Sequence, residues 1–198
     1  MPRNTINNRN KNKNRRKVTT IKGGMKKHSQ MSVGPVIKDA LIPEDDTRYR
    51  YWLSRIWDQD KPRVIFIMLN PSTADHMIDD PTIRRVIHFS MYWGYGGMYV
   101  VNLYAFRSTD PKRLKATDDP IGPQNREHIL TLIQNKDNKV DRVVYAWGNG
   151  EKEPEWLREI VTEPYCIALS KKGIPKHPLY LKGDSQPILY LRDPCSDK

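Results

Sequence analysis

The sequence predicts a mixed α/β fold, a three-layer α/β/α sandwich with a short, mostly parallel sheet. Two observations lead to this class. Apolar runs typical of buried strands alternate with helical patterns from residue 63 to residue 169, and such alternation favours a parallel sheet flanked by helices. The clearest run covers residues 64–69, with Pro62 before it and Pro71 after it. We expect it to form a strand that is buried on both faces.

Local signals predict the elements around this run. Residues 47–57 alternate tyrosine and leucine with arginine and tryptophan, which predicts a strand with one solvated face. The turn residues 58–62 then favour a hairpin into the strand 63–69. Asp80 can cap a helix that begins at Pro81. The remaining patterns predict strands at 99–103, 140–147 and 165–169, and helices at 123–134 and 153–161.

Charge divides the chain into two parts. Residues 1–27 contain ten Lys or Arg and no acid, so only about +1 of the net charge of +11 belongs to the other residues. Residues 1–34 have too few apolar side chains to offset the entropy of ordering. We expect a disordered basic arm followed by a single α/β domain over residues 35–198. The arm is expected to attract phosphates of nucleic acid, with contacts from Arg15, Arg16 and Lys17; a solubility tail is the alternative.

Composition argues against several classes of protein. No apolar run approaches the roughly 18 residues of a membrane-spanning helix, and no apolar segment follows the basic N-terminus as in a secretory signal. Cys166 and Cys195 make neither a metal-binding spacing nor a disulfide framework. Walker loop, dinucleotide fingerprint and nucleophile elbow are all missing from the sequence. We therefore expect a cytoplasmic monomer without membrane contact, metal or other cofactor.

Three polar side chains are expected at the carboxyl edge of the sheet, where open α/β sheets bind ligands. Asn70 and Asn102 each end a buried strand, and His177 follows the last strand in a loop stiffened by Pro178. An asparagine can orient a water or hold a base edge, and a histidine can stabilise a developing anion. The alternatives are a turn-forming Asn70, a buried hydrogen bond for Asn102 and a structural role for His177.

An acidic cluster follows the first buried strand and consists of Asp75, Asp79 and Asp80. Carboxylates at this spacing can bind a divalent cation or act as a general base. Asp80 is better explained as a helix cap, whereas Asp75 and Asp79 are candidates for activating water.

Five motifs together resemble an uncharacterised domain family of bacteria and phages, over about residues 47–182. They are Asn70-Pro-Ser-Thr-Ala-Asp75, Asp79-Asp-Pro-Thr-Ile-Arg-Arg85, Val101-Asn-Leu103, Ala146-Trp-Gly148 and His177-Pro-Leu-Tyr180. That family in turn resembles the uracil-DNA glycosylase superfamily, especially its mismatch-specific branch. In that branch Gly-Ile-Asn-Pro-Gly ends the first core strand, where this chain has Met68-Leu-Asn-Pro-Ser72. The last motif of the superfamily, often His-Pro-Ser, is similar to His177-Pro-Leu179.

The resemblance implies a uracil-DNA glycosylase-like fold and a set of residue roles. Asn70 would position the attacking water, and His177 would stabilise the departing base as its anion. Asn102 and Arg107 would lie near the base pocket or the DNA backbone. The residue inserted into the duplex would be one of Leu179, Tyr180 and Leu181. The expected DNA-binding residues of the domain are Arg84, Arg85 and Tyr180.

The function predicted from these roles is hydrolysis of the N-glycosidic bond of a flipped-out base, which leaves an abasic site in DNA. The expected partner is DNA, either double-stranded with a flipped base or single-stranded. A metal-dependent phosphohydrolase or nuclease that uses the acidic cluster is one alternative. A non-catalytic nucleic-acid-binding module is another.

The loop after Asn70 indicates which base is taken. Uracil-specific relatives place a bulky aromatic after the proline of the first motif, whereas Ser72, Thr73 and Ala74 are small. We therefore expect a pocket that accepts an enlarged 5-substituted pyrimidine, such as a hypermodified cytosine of phage DNA. Antiviral defence would follow as the biological role. The alternative is that residues 104–106 refill the space and restore uracil selectivity.

Overall fold

The structure is a computed structural model that describes residues 35–73, 76–148 and 150–192. The predicted basic arm, with Arg15, Arg16 and Lys17, lies outside these residues, and so does the predicted catalytic residue Asp75. Within the described ranges, no helix is long and apolar enough to cross a membrane.

The described residues form one seven-stranded sheet with helices, so the mixed α/β class is confirmed. In chain order the strands are β1 (Ile37–Leu41), β2 (Trp52–Ile56), β3 (Arg63–Met68), β4 (Gly97–Asn102), β5 (Val140–Tyr145), β6 (Pro164–Cys166) and β7 (Ile188–Leu189). Their spatial order is β1-β2-β4-β3-β5-β6-β7. The central strands β4, β3, β5 and β6 are parallel, and β1, β2 and β7 pair antiparallel. The sheet is thus mixed rather than mostly parallel as predicted, because its outer strands come from segments outside the alternating region.

The predicted hairpin between β2 and β3 is wrong. β2 pairs with β1 and β4, and β3 lies on the other side of β4. The turn of residues 57–62 crosses the start of β4, where Asp58 N donates to Gly96 O at 2.8 Å and Gly96 N donates to Pro62 O at 2.8 Å. A side chain cannot fit at Gly96, since a Cβ there would lie 2.2 Å from Asp58 O. Glycine at position 96 therefore lets β4 lie between β2 and β3, the two strands that the turn signal predicts as a hairpin.

Helix α1 (Pro81–Tyr92) covers one face of the sheet and begins as predicted. Asp80 accepts a hydrogen bond from Ile83 N at 2.8 Å, and proline occupies the first helical position. Ile83, Val86 and Phe89 are buried in one core cluster with side chains of β3 and β4. Since α1 follows the carboxyl end of β3, its amino terminus, with a partial positive charge, lies at the carboxyl edge of the parallel strands.

The opposite face is covered by α3 (Asn125–Gln134) and α4 (Glu155–Ile160), and α2 (Pro111–Ala116) precedes them in the chain. Ile129 and Leu132 of α3 are buried there in a second core cluster with residues of β3, β4 and β5.

The order of these connections determines where a crevice forms. The chain leaves β3 toward the face covered by α1 and leaves the adjacent strand β5 toward the face covered by α4. Loops that leave neighbouring parallel strands toward opposite faces separate, and ligands of open α/β sheets bind between them. The topology therefore predicts a crevice between the segments that follow β3 and β5, of which the structure describes residues 69–73, 76–80, 146–148 and 150–154.

Candidate active site

Asn70 lies at this crevice, two residues after the end of β3. Its amide nitrogen Nδ2 donates hydrogen bonds to Ser108 O at 2.7 Å and to Pro71 O at 3.2 Å. These bonds fix the orientation of the carboxamide, and no donor among the described residues reaches its oxygen Oδ1. The half-buried side chain thus presents a fixed acceptor, and a fixed acceptor can orient a water molecule.

His177 lies against the loop that follows β5. Leu179 N donates a hydrogen bond to His177 Nδ1 at 3.3 Å, so the neutral ring carries its proton on Nε2, a tautomer assigned from this contact. Burial lowers the pKa of His177 below its ordinary value, although Asp80 opposes part of the change. At neutral pH the ring is therefore uncharged, and Nε2 is a hydrogen-bond donor.

Gly148 explains how this histidine comes so close to the sheet. Gly148 N donates to Pro175 O at 3.1 Å, which joins the loop after β5 to the segment that precedes His177. A Cβ at Gly148 would lie 3.2 Å from the Cβ of His177, and the residue has φ +84°. Both the space and the backbone conformation favour glycine here, and the chain around His177 can close on the end of β5.

The segment after His177 is fastened to α1. Three side chains of α1 and its C-terminal cap contact backbone carbonyls of this segment: Arg85 with Leu181 O, His88 with Gly183 O at 3.0 Å, and Trp93 with Ser185 O at 2.9 Å. Arg85 also lies over the ring of Phe89, at 5.0 Å from the centroid. The guanidinium of Arg85, predicted to bind DNA, is thus used to hold the segment that carries His177.

Tyr180 is the exposed side chain beside the crevice. It is 84% exposed, and its ring centroid lies 6.0 Å from that of His177. Leu181 packs instead against the core on the α1 face, and Leu179 is half-buried. Of the three candidates for insertion into a duplex, Tyr180 therefore presents the largest free surface. Arg84, the other expected DNA contact of α1, is also exposed.

Arg107 is tied to the loop that should form the base pocket. Its Nη2 donates to Thr73 O at 3.2 Å and its Nη1 to Thr47 O at 3.1 Å. Nε of the same guanidinium is buried without a hydrogen-bond partner. Ser72 is half-buried and Thr73 is exposed. The structure thus brings Arg107 together with the small residues that follow Asn70.

Asn102 is the last residue of β4 and is 3% exposed. Its backbone oxygen accepts a hydrogen bond from Asn125 Nδ2 at 2.9 Å. Of the two asparagines joined by this bond, Asn125 is the one whose Oδ1 is buried without a partner among the described residues. Asn102 remains a candidate for holding a ligand because it ends β4 at the carboxyl edge of the parallel strands.

Asp79 and Asp80, the described part of the acidic cluster, are both engaged. Asp79 accepts hydrogen bonds from Arg55 Nε at 2.7 Å and from Lys38 Nζ at 3.1 Å. Burial acts to raise the pKa of Asp79, but these two cations outweigh it and lower the pKa below its ordinary value. Asp80 caps α1. In residues 35–73, 76–148 and 150–192, no group of three or more His, Cys, Asp or Glu is placed to hold a metal ion.

Arg50 is a candidate that the sequence pattern missed. The alternation of residues 47–57 assigns it to the solvated face, yet it is only 6% exposed. Its backbone nitrogen donates to Ala105 O at 2.9 Å, but its guanidinium has no hydrogen bond or ion pair with any described residue. Burial, with a smaller contribution from Arg107, lowers the pKa of Arg50 to about 10, and Asp80 opposes the change. An arginine between two tyrosines was the only signal that could have pointed to its burial.

A family model with the description "Protein of unknown function (DUF1643)" matches residues 50–179. The match covers about two thirds of the chain. The chain belongs to the DUF1643 family. Comparisons with curated proteins and with solved structures found no match.

The segment matched by the DUF1643 model contains two separate groups of the residues described above. Near the predicted crevice lie the residues that each keep at least one side-chain polar atom without a hydrogen-bond partner among the described residues: Arg50, Asn70, Asn102, Arg107 and His177. Asp79 belongs to a different group, because Arg55 and Lys38 hold it in ion pairs. Tyr180 follows immediately after the matched residues.

Proposed function

We propose that this DUF1643 protein is a DNA glycosylase that hydrolyses the N-glycosidic bond of a flipped-out, 5-modified pyrimidine and leaves an abasic site. One observation carries the proposal. A fixed acceptor, Asn70 Oδ1, lies on the segment that follows β3, and a neutral donor, His177 Nε2, lies on a later segment that packs against Gly148 in the loop after β5. The resemblance of the surrounding motifs to the uracil-DNA glycosylase superfamily supports this pairing of groups, and helices pack on both faces of the mixed sheet.

The two groups suit the two halves of the reaction. The water oxygen held by Asn70 forms a bond to the sugar carbon C1′, and the bond from C1′ to the base nitrogen breaks. The base leaves with the electron pair, and the proton on His177 Nε2 stabilises the charge that develops on it. A neutral histidine serves here because donating a hydrogen bond to an anion does not require the ring to be charged. The attacking water releases one proton to solvent and the base anion takes one up from solvent, so the reaction consumes one water and yields a hydroxyl at C1′ and the free base.

The pocket walls favour a base with a substituent at carbon 5. Ser72 and Thr73 are small and carry hydroxyls, so they leave space for a polar substituent. Residues 104–106 do not compete for this space through Phe106, because its ring packs edge-on against Tyr49 in a separate buried cluster. Enlarged pyrimidines occur in modified phage genomes, so defence against phages is part of the proposal.

The rim of the crevice suits DNA with an extruded base. Tyr180 is an aromatic ring that stands free beside His177, and it can fill the gap in the stack that a flipped nucleotide leaves. Arg84, in the first turn of α1, adds an exposed cation, and its Nη1 donates to Asp79 O. Phosphodiester hydrolysis by the acidic cluster has less support, since Asp79 is bound by two cations and Asp80 by the helix terminus.

Base release from DNA tests the proposal directly. The full chain is incubated with duplex and single-stranded oligonucleotides that carry uracil, hydroxymethylcytosine or glucosylated hydroxymethylcytosine, and abasic sites are scored as alkali-sensitive breaks. We expect breaks at the modified cytosines to exceed those at uracil. Breaks at uracil alone would contradict the pocket argument, and strand cleavage without alkali, abolished by a chelator, would favour a phosphohydrolase.

Substitution of the two central residues tests the mechanism. Asn70→Ala and His177→Ala should each lower the rate of base release by roughly 10²–10³ while DNA binding is kept, because each removes one preorganised polar group. Asn135→Ala is the matched control, since Asn135 caps a short turn before β5, at the opposite edge of the sheet. Base release at the wild-type rate by both site variants would make the protein a nucleic-acid-binding module in which these residues have no catalytic part.

A further inference from the structure

Two guanidinium groups beside the crevice have hydrogen-bonding capacity that no described residue uses. Arg50 is 6% exposed, and its guanidinium forms no hydrogen bond or ion pair with the described residues. Arg107 donates hydrogen bonds from Nη1 and Nη2 to carbonyl oxygens, but its Nε is buried without a hydrogen-bond partner. A buried cation without a counter-charge is costly, so its presence at a crevice points to an anion that arrives from outside.

The backbone holds these two arginines in one place. Arg50 N donates to Ala105 O at 2.9 Å, and Arg107 N donates to Arg48 O at 2.8 Å. The segment before β2 and the loop after β4 therefore run side by side. The loop after β4 also reaches the crevice, since Ser108 O accepts the hydrogen bond from Asn70 Nδ2 at 2.7 Å.

We propose that Arg50 and Arg107 form a phosphate-binding subsite next to Asn70, which holds a phosphate group of the nucleotide whose base occupies the crevice. The identification of that nucleotide as part of DNA rests on the proposed function. A phosphate fits because its oxygens match the fork of a guanidinium and can accept from two arginines at once. The carboxylate of Asp80 compensates Arg50 only in part: it raises the pKa of Arg50 through space but caps Ile83 N at 2.8 Å and forms no ion pair with Arg50 among the described residues, and burial with Arg107 outweighs it.

The lowered pKa of Arg50 in the free protein agrees with a subsite that binds an anion. The pKa of Arg50 is lowered to about 10, by burial first and then by Arg107, with a further contribution from Arg55. Arg55 is itself compensated by Asp79. An anion between Arg50 and Arg107 would relieve their mutual repulsion as well as the burial of Arg50.

Binding measurements that need no base release test this subsite. Isothermal titration calorimetry on the full chain compares thymidine, thymidine 5′-monophosphate, thymidine 3′-monophosphate and inorganic phosphate. We expect Arg50→Met to weaken binding of the preferred monophosphate at least tenfold, to the level of thymidine. Arg48→Met is the matched control, because Arg48 lies two residues away, is exposed and pairs with Asp46. The control should bind as the wild type does, and the N-terminal basic residues are the same in every variant.

The outcomes separate this inference from the proposed function. Loss of monophosphate binding in Arg50→Met supports the subsite even if no DNA loses a base. Equal monophosphate binding by wild type and Arg50→Met overturns the subsite even if base release is found. Should Arg50→Met fail to fold, Arg50→Lys decides, since it keeps the charge but not the fork: binding unchanged by lysine would overturn the proposal, and weakening of several-fold would support it.

A further experiment distinguishes a phosphate of the DNA backbone from the phosphate of a free nucleotide. A methylphosphonate replaces one linkage on either side of the target in a single-stranded oligonucleotide. If the subsite holds the DNA backbone, one of these neutral linkages should weaken wild-type binding and leave Arg50→Met unaffected. If neither linkage matters while a monophosphate binds through Arg50, the subsite serves a free nucleotide, and the assignment to DNA is wrong.

Discussion

Two buried arginines lie five residues apart in this chain and differ in everything that surrounds them. Arg55, in β2, is completely buried, and its guanidinium donates to Asp79, to Ser54 O at 2.7 Å and to His76 O. Arg50, just before β2, is almost as buried but has no such partner among the described residues. Arg55 finds its hydrogen-bond partners and counter-ion within the fold, whereas the guanidinium of Arg50, at the edge of the crevice, does not.

The presence or absence of partners distinguishes structural polar residues from candidate ligand-binding residues better than burial alone does. Polar groups inside a protein are normally satisfied, because an unsatisfied one costs stability. An unsatisfied group at the carboxyl edge of the sheet therefore points to a ligand, whereas Arg85 Nε, which is also buried without a partner among the described residues, belongs to a side chain that holds the segment after His177. The same criterion distinguishes Asn70, whose amide is fixed while its oxygen is left open, from Asp79, whose carboxylate is bound by two cations.

Removing the partner of Arg55 should give the largest effect. Asp79→Ala leaves a completely buried guanidinium without its counter-ion, and breaking a buried pair in this way costs about 3–5 kcal/mol of the free energy of unfolding. Urea denaturation measures the change. Asp46→Ala, which removes the partner of the exposed Arg48, is the control and should leave the midpoint unchanged.

A double substitution then decides whether Asp79 also takes part in the reaction. Arg55→Met with Asp79→Leu replaces the pair by apolar side chains and should recover most of the lost stability. If Asp79 is structural, base release recovers with folding. A stable double variant that releases no base would instead return Asp79 to the catalytic role that its place in the acidic cluster suggests.

Sequence reasoning succeeded where the determining interactions are local. The unbroken apolar run predicts β3, which is buried along its whole length, because a strand covered on both faces needs apolar residues at every position. The start of α1 also follows from neighbours in the chain, since Asp80 caps the amide of Ile83 three residues later. Asn70 is a candidate from the sequence because it follows the end of β3, which the pattern locates, whereas His177 lies well after β6 (Pro164–Cys166); the catalytic roles of both stay predictions.

Sequence reasoning failed where the outcome depends on distant segments. The hairpin between β2 and β3 was wrong because β4, some 30 residues further on, enters between them. The solvated face assigned to Arg50 was wrong because the loop after β4 covers that segment, as the hydrogen bond from Arg50 N to Ala105 O shows. Neither contact leaves a periodic signal in residues 47–57, so the open guanidinium became visible only in the fold.

A change of intermediate size in the free energy of unfolding is expected from the titration of two half-buried histidines, His128 and His177. Burial lowers the pKa of His177, opposed by Asp80, and it lowers the pKa of His128, opposed by Glu127. The unfolded chain takes up protons as the pH falls through about 6.5, whereas the folded chain resists until lower pH. Folding stability should therefore fall as the pH is lowered from 7 to 5.

His177→Gln should flatten part of this pH dependence, and the rest should remain with His128, which packs on the ring of Tyr51 at 4.6 Å between centroids. Urea denaturation at several pH values gives the slope. A wild-type slope of the opposite sign would mean that the folded protein holds His177 charged, and the neutral donor on which the proposed chemistry depends would be lost.

The smallest change in the free energy of unfolding should come from substituting Arg50. This change should have the opposite sign to that caused by Asp79→Ala. Arg50→Met removes a buried charge that forms no ion pair with a described residue and that Asp80 compensates only in part, and it keeps an unbranched aliphatic stem. Because nothing is broken and an unfavourable burial is relieved, we expect the free energy of unfolding to rise by about 1 kcal/mol. Urea denaturation without phosphate measures it, with Arg48→Met as the unchanged control. A loss of stability of the size expected for Asp79→Ala would show that Arg50 is held by the folded chain as Arg55 is, and the comparison between a completed and an open arginine would then fail.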